Sequence, residues 1–357
     1  MPGKRAAVIT PFFVDRDAVC NDAYHSTQVL RRMGWDARVY AVDGQSGREP
    51  AHPIAELGRF IRDPGDLVYF HFSTGRRDVL DAIASLECRK VLKFHNITPP
   101  ELFSMWSDEL AEANRAGRRE MPEIARLGWE RVWGDSAFNL AEIAPALAPG
   151  TPAGVLPPFH DTDALLASRP ELPRAHSPPR LVSVGRIVQS KGHPFLLRIM
   201  RYLVHELKTP AVLDIVGKPD HRLLAYLRML ELMVAEFRLE SHVSFRGEVP
   251  SRELAEIYAG ASAFVSASEH EGFCVPIVEA MAFAVPVVAL GTTAIPETVG
   301  DAGIVWEERD PRRFALALQR LIRSPEERRW LGNLGRQRYE GLYSNAIIEA
   351  RLAATLR

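Results

Sequence analysis

Four side chains in the second half of the chain have types and spacings that suit a single ligand. Arg186 and Lys191 follow a strand-like run in LVSVGRIVQSKG (181–192), and Glu271 and Glu279 stand eight apart in EHEGFCVPIVEA (269–280). Two cations at a strand end, with Gly185 and Gly192 allowing close backbone approach, form a socket for an anion. Ionised carboxylates only accept hydrogen bonds, so the two Glu suit hydroxyl groups. A ligand carrying both phosphates and hydroxyls satisfies all four, and a nucleotide-sugar is such a ligand. Taken alone, two Glu eight apart are more often a solvated pair, and the bland alternative for Arg186 and Lys191 is that they merely flank a surface helix. The strand-to-glycine context of both clusters argues for the ligand.

Strand and helix signals flank both clusters. Phe264–Ala267 has strand composition, Pro276 suits the opening of a helix, and Val285–Leu290 resumes as a buried strand. Glu271 is thereby expected in the loop at a strand's carboxyl end and Glu279 in the first turn of the next helix, where ligands of open α/β sheets collect. Further strand-like runs fall at Arg5–Thr10, Ala37–Val42, Leu67–Phe72, Lys90–Phe94, Arg131–Gly134 and Gly154–Leu156, then at Arg180–Val184, Ala211–Val216, His242–Phe245, Ala263–Ala267 and Gly303–Val305. Helical stretches such as Ala23–Met33, Val79–Leu86 and Pro194–Leu207 separate them. Strands alternating with helices predict an α/β fold with parallel sheets. A length of 357 residues exceeds one ordinary core, so two domains are expected. Residues 169–179, RPELPRAHSPP, hold four prolines in eleven residues and read as a linker between domains 1–168 and 180–336. Two parallel-sheet domains joined in this way predict a cleft between them.

Composition excludes several classes. A net charge of −1 gives no electrostatic case for nucleic acid. Cys20, Cys88 and Cys274 form neither a disulfide framework nor a C-x-x-C pattern, which fits a reducing, cytoplasmic compartment. The apolar run of MPGKRAAVITPFF stops at Pro11, too early for a signal peptide, and no segment reaches the roughly 20 apolar residues of a spanning helix. G-x-G-x-x-G and Walker A patterns are absent, and the eleven histidines show no H-E-x-x-H spacing, so no metal or cofactor is expected. Asp161-Thr162-Asp163 matches a metal-binding D-x-D, but it opens a predicted helix (Thr162–Ala167), where Asp and Thr serve as caps. Trp106, Arg115, Arg118 and Arg119 would make a membrane-facing patch, yet Asp108, Glu109, Glu112 and Glu120 interleave with them and read as a solvated face.

The run EGFCVPIVEAMA, Glu271–Ala282, is similar to the signature E-G-F-x-x-P-x-x-E-A-M-A of the retaining glycosyltransferases of family 4, which have a GT-B fold. GRIVQSKG, 185–192, likewise resembles that family's G-R-x-x-x-x-K-G. The resemblance implies two Rossmann-like domains facing across a cleft, with a final helix crossing back so that residues from about 337 to 357 join the first domain. It implies that Arg186 and Lys191 hold the donor's diphosphate, that Glu271 contacts the transferred sugar and that Glu279 contacts the ribose, with Gly185, Gly272 and Phe273 in the same donor-binding motifs. His95, at the end of the run KVLKF, matches a family His near the donor sugar and the departing phosphate. One family feature is missing: PFFVDRDAVCNDAYH has no glycine where many members carry a Gly-Gly loop, which leaves Asp17, Asn21 and Asp22 as candidate acceptor contacts. In ALGTTAIPE (289–297) only Gly291 remains of a usual glycine pair, with Thr292 and Thr293 offering hydroxyl and N–H donors to the diphosphate. The implied activity is metal-independent, retaining transfer of a hexosyl unit from a nucleotide-sugar donor to a saccharide or lipid-linked acceptor. Its setting would be surface polysaccharide or glycolipid synthesis in the cytoplasm, with peripheral docking at the inner membrane face left open. A non-hydrolysing nucleotide-sugar epimerase shares this architecture, and a non-catalytic nucleotide-sugar-binding subunit would share the motifs.

Overall fold

The computed structural model describes residues 4–169 and 177–356, so most of the expected linker lies outside the described residues. Strands buried on both faces read as near-continuous apolar runs, because parallel sheets are covered on both sides. LVYFHF at 67–72 is such a run, buried at every position, His71 included. The first sheet comprises β1 (Arg5–Phe12), β2 (Asp36–Asp43), β3 (His52–Pro53), β4 (Leu67–Phe72), β5 (Arg89–Phe94), β6 (Arg131–Gly134) and β7 (Ala153–Val155) in the order β3-β2-β1-β4-β5-β6-β7. The second comprises β8 (Arg180–Val184), β9 (Val212–Val216), β10 (Val243–Gly247), β11 (Ala261–Ser266), β12 (Val287–Leu290) and β13 (Gly303–Trp306) in the order β10-β9-β8-β11-β12-β13. Every pairing within the two sheets is parallel.

Both orders reverse direction at the first strand. β1 lies between β2 and β4, and β8 between β9 and β11. At such a switch point adjacent loops leave the carboxyl ends in opposite directions and open a crevice for ligands. The strands expected from sequence all form. β3 was not expected, since two residues carry no run. The first helix spans Ala18–Arg32, beginning ahead of the expected Ala23 because Asp17 caps it. Pro194–Leu207 divides into a helix, His193–Arg201, and a π turn, Tyr202–Glu206.

The chain forms two compact units: Met1–Glu101 with Glu109–His160 and Asn345–Arg357, and Leu102–Asp108 with Asp161–Ser344. The C-terminal helix Asn345–Leu356 belongs to the first unit, where Ile348, Leu352 and Leu356 pack with Ala23, Val29 and Leu30. Each such buried aliphatic side chain contributes about 1.5–3 kcal/mol. The return begins at Asn345, whose side-chain amide donates to the His160 carbonyl at 2.7 Å, and the segment 337–344 stays with the second unit. The Thr162–Ala167 helix also groups with the second unit, its Leu165 in the core cluster that includes Tyr258 and Met281.

In that unit the Pro325–Arg338 helix lies against the Val275–Ala282 helix, and Gly332 is what permits the approach. A Cβ there would stand 2.0 Å from the Ala284 carbonyl oxygen, backbone that cannot step aside. Gly332→Ala is therefore expected to lower stability by about 1–3 kcal/mol, as overpacking does. Thermal unfolding measures it; an unchanged Tm would contradict the close packing.

Candidate functional site

Two of the donor-type residues, Lys191 and Glu271, meet at the switch point of the second sheet. After β8 the backbone turns through Gly185 (φ +153°), and the Gln189–Lys191 turn ends at Gly192 (φ +64°). Gly192 has a second reason to lack a side chain: a Cβ would lie 2.0 Å from the Ala267 carbonyl oxygen in the loop after β11. This contact brings Lys191 Nζ to 2.6 Å from Glu271 Oε1, across 80 positions of sequence. Their side chains keep 22% and 9% of their exposure, so the pair is sheltered but reachable. Arg186 stands exposed on the same loop.

The Glu271 loop is fixed by two threonines. The Glu271 N–H donates to Thr293 Oγ1 (2.9 Å), and that hydroxyl donates to the Glu271 carbonyl (2.8 Å). Thr292 Oγ1 donates to the Ser268 carbonyl at 2.6 Å. Both hydroxyls are thus spent on backbone, which corrects the hydroxyl part of the expectation that these threonines serve a diphosphate. Phe273 also departs from expectation. Its ring packs edge-to-face on Tyr343 at 5.3 Å, and its carbonyl accepts from Thr298 Oγ1 at 2.7 Å, so its side chain anchors the loop in the core. Gly272 lies half-buried between these fixed residues.

Glu279 lies in the second turn of its helix, not the first. Cys274 (φ +74°) is the N-cap and Pro276 is the second helical residue, which makes Glu279 the fifth. The Tyr258 hydroxyl donates to Glu279 Oε2 at 2.7 Å. Burial pushes the Glu279 carboxyl up from 4.5 to about 7, with the Tyr258 hydrogen bond opposing and the Asp161 charge adding to the rise. The D-x-D caps are also corrected. Asp161 occupies the N-cap position without a side-chain capping bond, and Asp163 accepts from the Tyr339 hydroxyl at 2.7 Å.

The first unit holds a second polar cluster, at the carboxyl ends of β4, β5 and β6. His95 Nδ1 is 2.8 Å from Asp135 Oδ2, and its Nε2 is 2.9 Å from His71 Nδ1. Lys93 Nζ, fully buried, is 2.7 Å from Asp22 Oδ2 and donates to the Pro157 carbonyl at 3.2 Å. Asp22 Oδ1 accepts from the Phe159 N–H at 3.0 Å. Burial alone would push the Asp22 carboxyl up, but the Lys93 ammonium and the His71 hydrogen bond outweigh it and hold the group well below the carboxylate range. Burial pushes His71 down to about 4 against the attraction of Asp22. Asp22 is therefore a buried counter-ion and cannot greet an acceptor at the surface. Asp17 is likewise corrected: it caps the first helix by accepting from the N–H groups of Val19 (3.0 Å) and Cys20 (3.1 Å). Asn21 sits half-buried on that helix.

Ligating atoms of Asp22, His71 and His95 fall within 4.8 Å of one another, a grouping able to hold a metal that the sequence did not disclose. Lys93 already delivers a positive charge to the Asp22 oxygen, and a cation beside it would be repelled. His71, Lys93 and Asp135 were missed as site residues; the signal available was a His and a Lys inside apolar strand runs. The Arg115–Arg119 patch is largely neutralised: Arg115 and Arg119 both bind Glu112, and Arg118 donates to the Ile97 carbonyl and to Glu142. No described helix is long and apolar enough to cross a membrane.

Residues 167–338 match the family model for glycosyl transferases group 1. Over 71 residues the chain is 46% identical to O-antigen chain mannosyltransferase B of Escherichia coli, covering 20% of this chain and 19% of that protein. Over 237 residues it is 27% identical to a GDP-mannose-dependent alpha-(1-6)-phosphatidylinositol monomannoside mannosyltransferase of Mycobacterium tuberculosis, covering 62% and 60%. The chain spans about three fifths or less of the length of these relatives. Among solved structures, HepE of Anabaena in complex with UDP and glucose superposes over 99% of both chains with a TM-score of 0.74 at 15% identity. The likeness shows the fold, GT-B, with its two Rossmann-like parallel-sheet domains.

Two expectations follow from the charges. Lys93→Met leaves Asp22 buried without its ammonium and should cost about 3–5 kcal/mol, whereas Asp22→Asn combined with Lys93→Met should recover much of that loss. Denaturant unfolding reads both, and a single variant as stable as wild type would contradict the pairing. For Glu279, the folded value lies above the unfolded one, so its contribution to stability is fully present below about pH 4.5 and is lost as pH rises through about 7. His71 and His193, both pushed by burial down to about 4 from 6.5, act in the opposite sense between about pH 4 and 6.5. The readout is thus the difference between variant and wild type: Glu279→Gln should gain relative stability between pH 5 and pH 8. A constant difference would refute the raised value.

Proposed function

We propose that this chain is a retaining hexosyltransferase that moves a sugar from a nucleotide diphosphate donor to an acceptor hydroxyl. The observation that carries the reading is the Lys191–Glu271 pair, an ammonium and a carboxylate 2.6 Å apart at the switch point of a parallel sheet. The donor's phosphate takes the ammonium and a sugar hydroxyl takes the carboxylate, so each partner exchanges one charge-assisted bond for another.

As the bond between the anomeric carbon and the phosphate oxygen breaks, positive charge grows on the carbon and negative charge on the leaving diphosphate. Lys191 and Arg186 stabilise the second charge, the preorganised electrostatic contribution that dominates such steps. Glu271 holds the sugar and Glu279 the ribose. The pattern does not suit a hydrolase, which needs two carboxyl groups flanking one bond; here one carboxylate is held by Lys191 and the other by Tyr258. In this reading the leaving phosphate helps take the acceptor's proton, configuration at the anomeric carbon is kept, and no metal takes part. His95, with both ring nitrogens engaged, serves by fixing the backbone at the end of β5. GDP-mannose is the donor to try first, and a saccharide or lipid-linked acceptor of a surface polysaccharide or glycolipid is supported by the names of the two relatives. The setting is cytoplasmic, with peripheral membrane docking as part of the proposal.

Release of nucleotide diphosphate only when acceptor is added distinguishes transfer from epimerisation and from binding alone. Within that assay, Glu271→Gln keeps the side-chain volume but removes the ionised acceptor, and turnover should fall on the order of a hundredfold with free nucleotide diphosphate affinity nearly unchanged. Lys191→Ala should weaken nucleotide diphosphate binding by about tenfold or more. Wild-type behaviour in both variants would overturn the reading.

A further inference from the structure

We propose that Tyr258 is the positioning residue for Glu279, its hydroxyl holding Oε2 so that Oε1 is turned to the ribose of a nucleotide-sugar; the inference rests on the donor site proposed above. Tyr258 closes the Ser251–Gly260 helix and is fully buried. Its ring stacks on Phe283 at 5.5 Å and on Phe264 of β11 at 6.4 Å, so two aromatic neighbours fix where the hydroxyl points. A buried phenol needs a partner for its O–H. This one has Glu279 Oε2 at 2.7 Å, and the Pro276 carbonyl lies farther off at 3.4 Å. Among the described residues Oε1 of Glu279 has no hydrogen-bond partner, and Glu279 is only half-buried.

The surroundings make the hydroxyl more than a packing feature. Two further titratable groups bear on the Tyr258–Glu279 pair: Asp161, the residue ahead of the Thr162–Ala167 helix, and the Cys274 thiol at the N-cap of Glu279's helix. Burial and the Asp161 charge disfavour the carboxylate, and Tyr258 alone favours it. Burial holds the Tyr258 phenol well above its usual range, so it remains a donor at every working pH. Ribose hydroxyls donate to a carboxylate, so they bind the ionised form of Glu279. Donor binding should therefore strengthen as pH rises through about 7 and release a proton below it. Without the Tyr258 hydroxyl the carboxylate loses its one favourable hydrogen bond, and the transition moves to higher pH.

The test is calorimetric titration of wild type, Tyr258→Phe and Glu279→Gln with GDP-mannose, and with UDP-glucose as a second probe, from pH 5.5 to 8.5. A nucleotide-sugar is used because both its phosphates are esterified and lose no proton in this range. Wild-type affinity should rise several-fold across the range, Glu279→Gln should be flat, and Tyr258→Phe should have its rise displaced upward by about half a pH unit or more. Titrations of wild type in two buffers of different ionisation enthalpy should count a proton released near pH 6.5 that Glu279→Gln does not release. Phe keeps the ring and its stacking, and wild type with Glu279→Gln reads the proton independently of that variant. An unmoved rise in Tyr258→Phe, or equal proton release by wild type and Glu279→Gln, overturns the inference while leaving the donor site standing. No binding of either nucleotide-sugar by wild type overturns the donor site itself, and the inference with it.

Discussion

The arrangement of the second unit depends on β8 being hydrogen-bonded between β9 and β11. Because all three strands are parallel, their carboxyl ends share one edge, and the loops after β8 and β11 leave that edge side by side. The approach is close enough that only glycine fits at position 192 against the Ala267 carbonyl. Lys191 and Glu271 are then brought together by backbone register, and their 2.6 Å contact is a consequence of strand order. Thr293, accepting from the N–H and donating to the carbonyl of Glu271, prevents the loop from relaxing away from that position.

The first unit uses charge differently. Asp22 and Lys93 are completely buried, and removing two ions from water costs several kcal/mol each, which only a close contact with satisfied neighbours offsets. The Phe159 N–H and the Pro157 carbonyl supply that satisfaction. The cluster thus ties the first helix, β5 and the segment after β7 to one another, while His71 and Asp135 hold the ring of His95 by its two nitrogens. A polar cluster of this kind fixes geometry more than it adds stability, because apolar groups of the same shape would cost less to bury.

Much of this was legible in the sequence. The strand runs, the α/β class and the loop positions of Arg186, Lys191 and Glu271 follow from local composition, since buried parallel strands announce themselves by apolar, β-branched runs and their ends by glycine. What was not legible are the partners. Tyr258 carries no motif, and Thr293 reads only as a loop donor; their roles come from which strands become neighbours, a tertiary fact with no local signature. Asp22 shows the same limit in reverse: its place in a polar loop suggested an exposed contact, and the fold makes it a counter-ion in the core. Glu279 moved by one residue, from the first helical turn into the second, because the helix begins at Val275, just after Cys274, whose left-handed backbone no sequence pattern marked.

The proposed donor site consists of the loops after β8 and β11, which together would bind a nucleotide-sugar. Amide hydrogen exchange with and without saturating GDP-mannose tests it most directly, because protection reports where a ligand orders the backbone. Slowed exchange in the second unit should be concentrated at residues 185–193 and 268–282. Binding detected by calorimetry without added protection in either segment would contradict it.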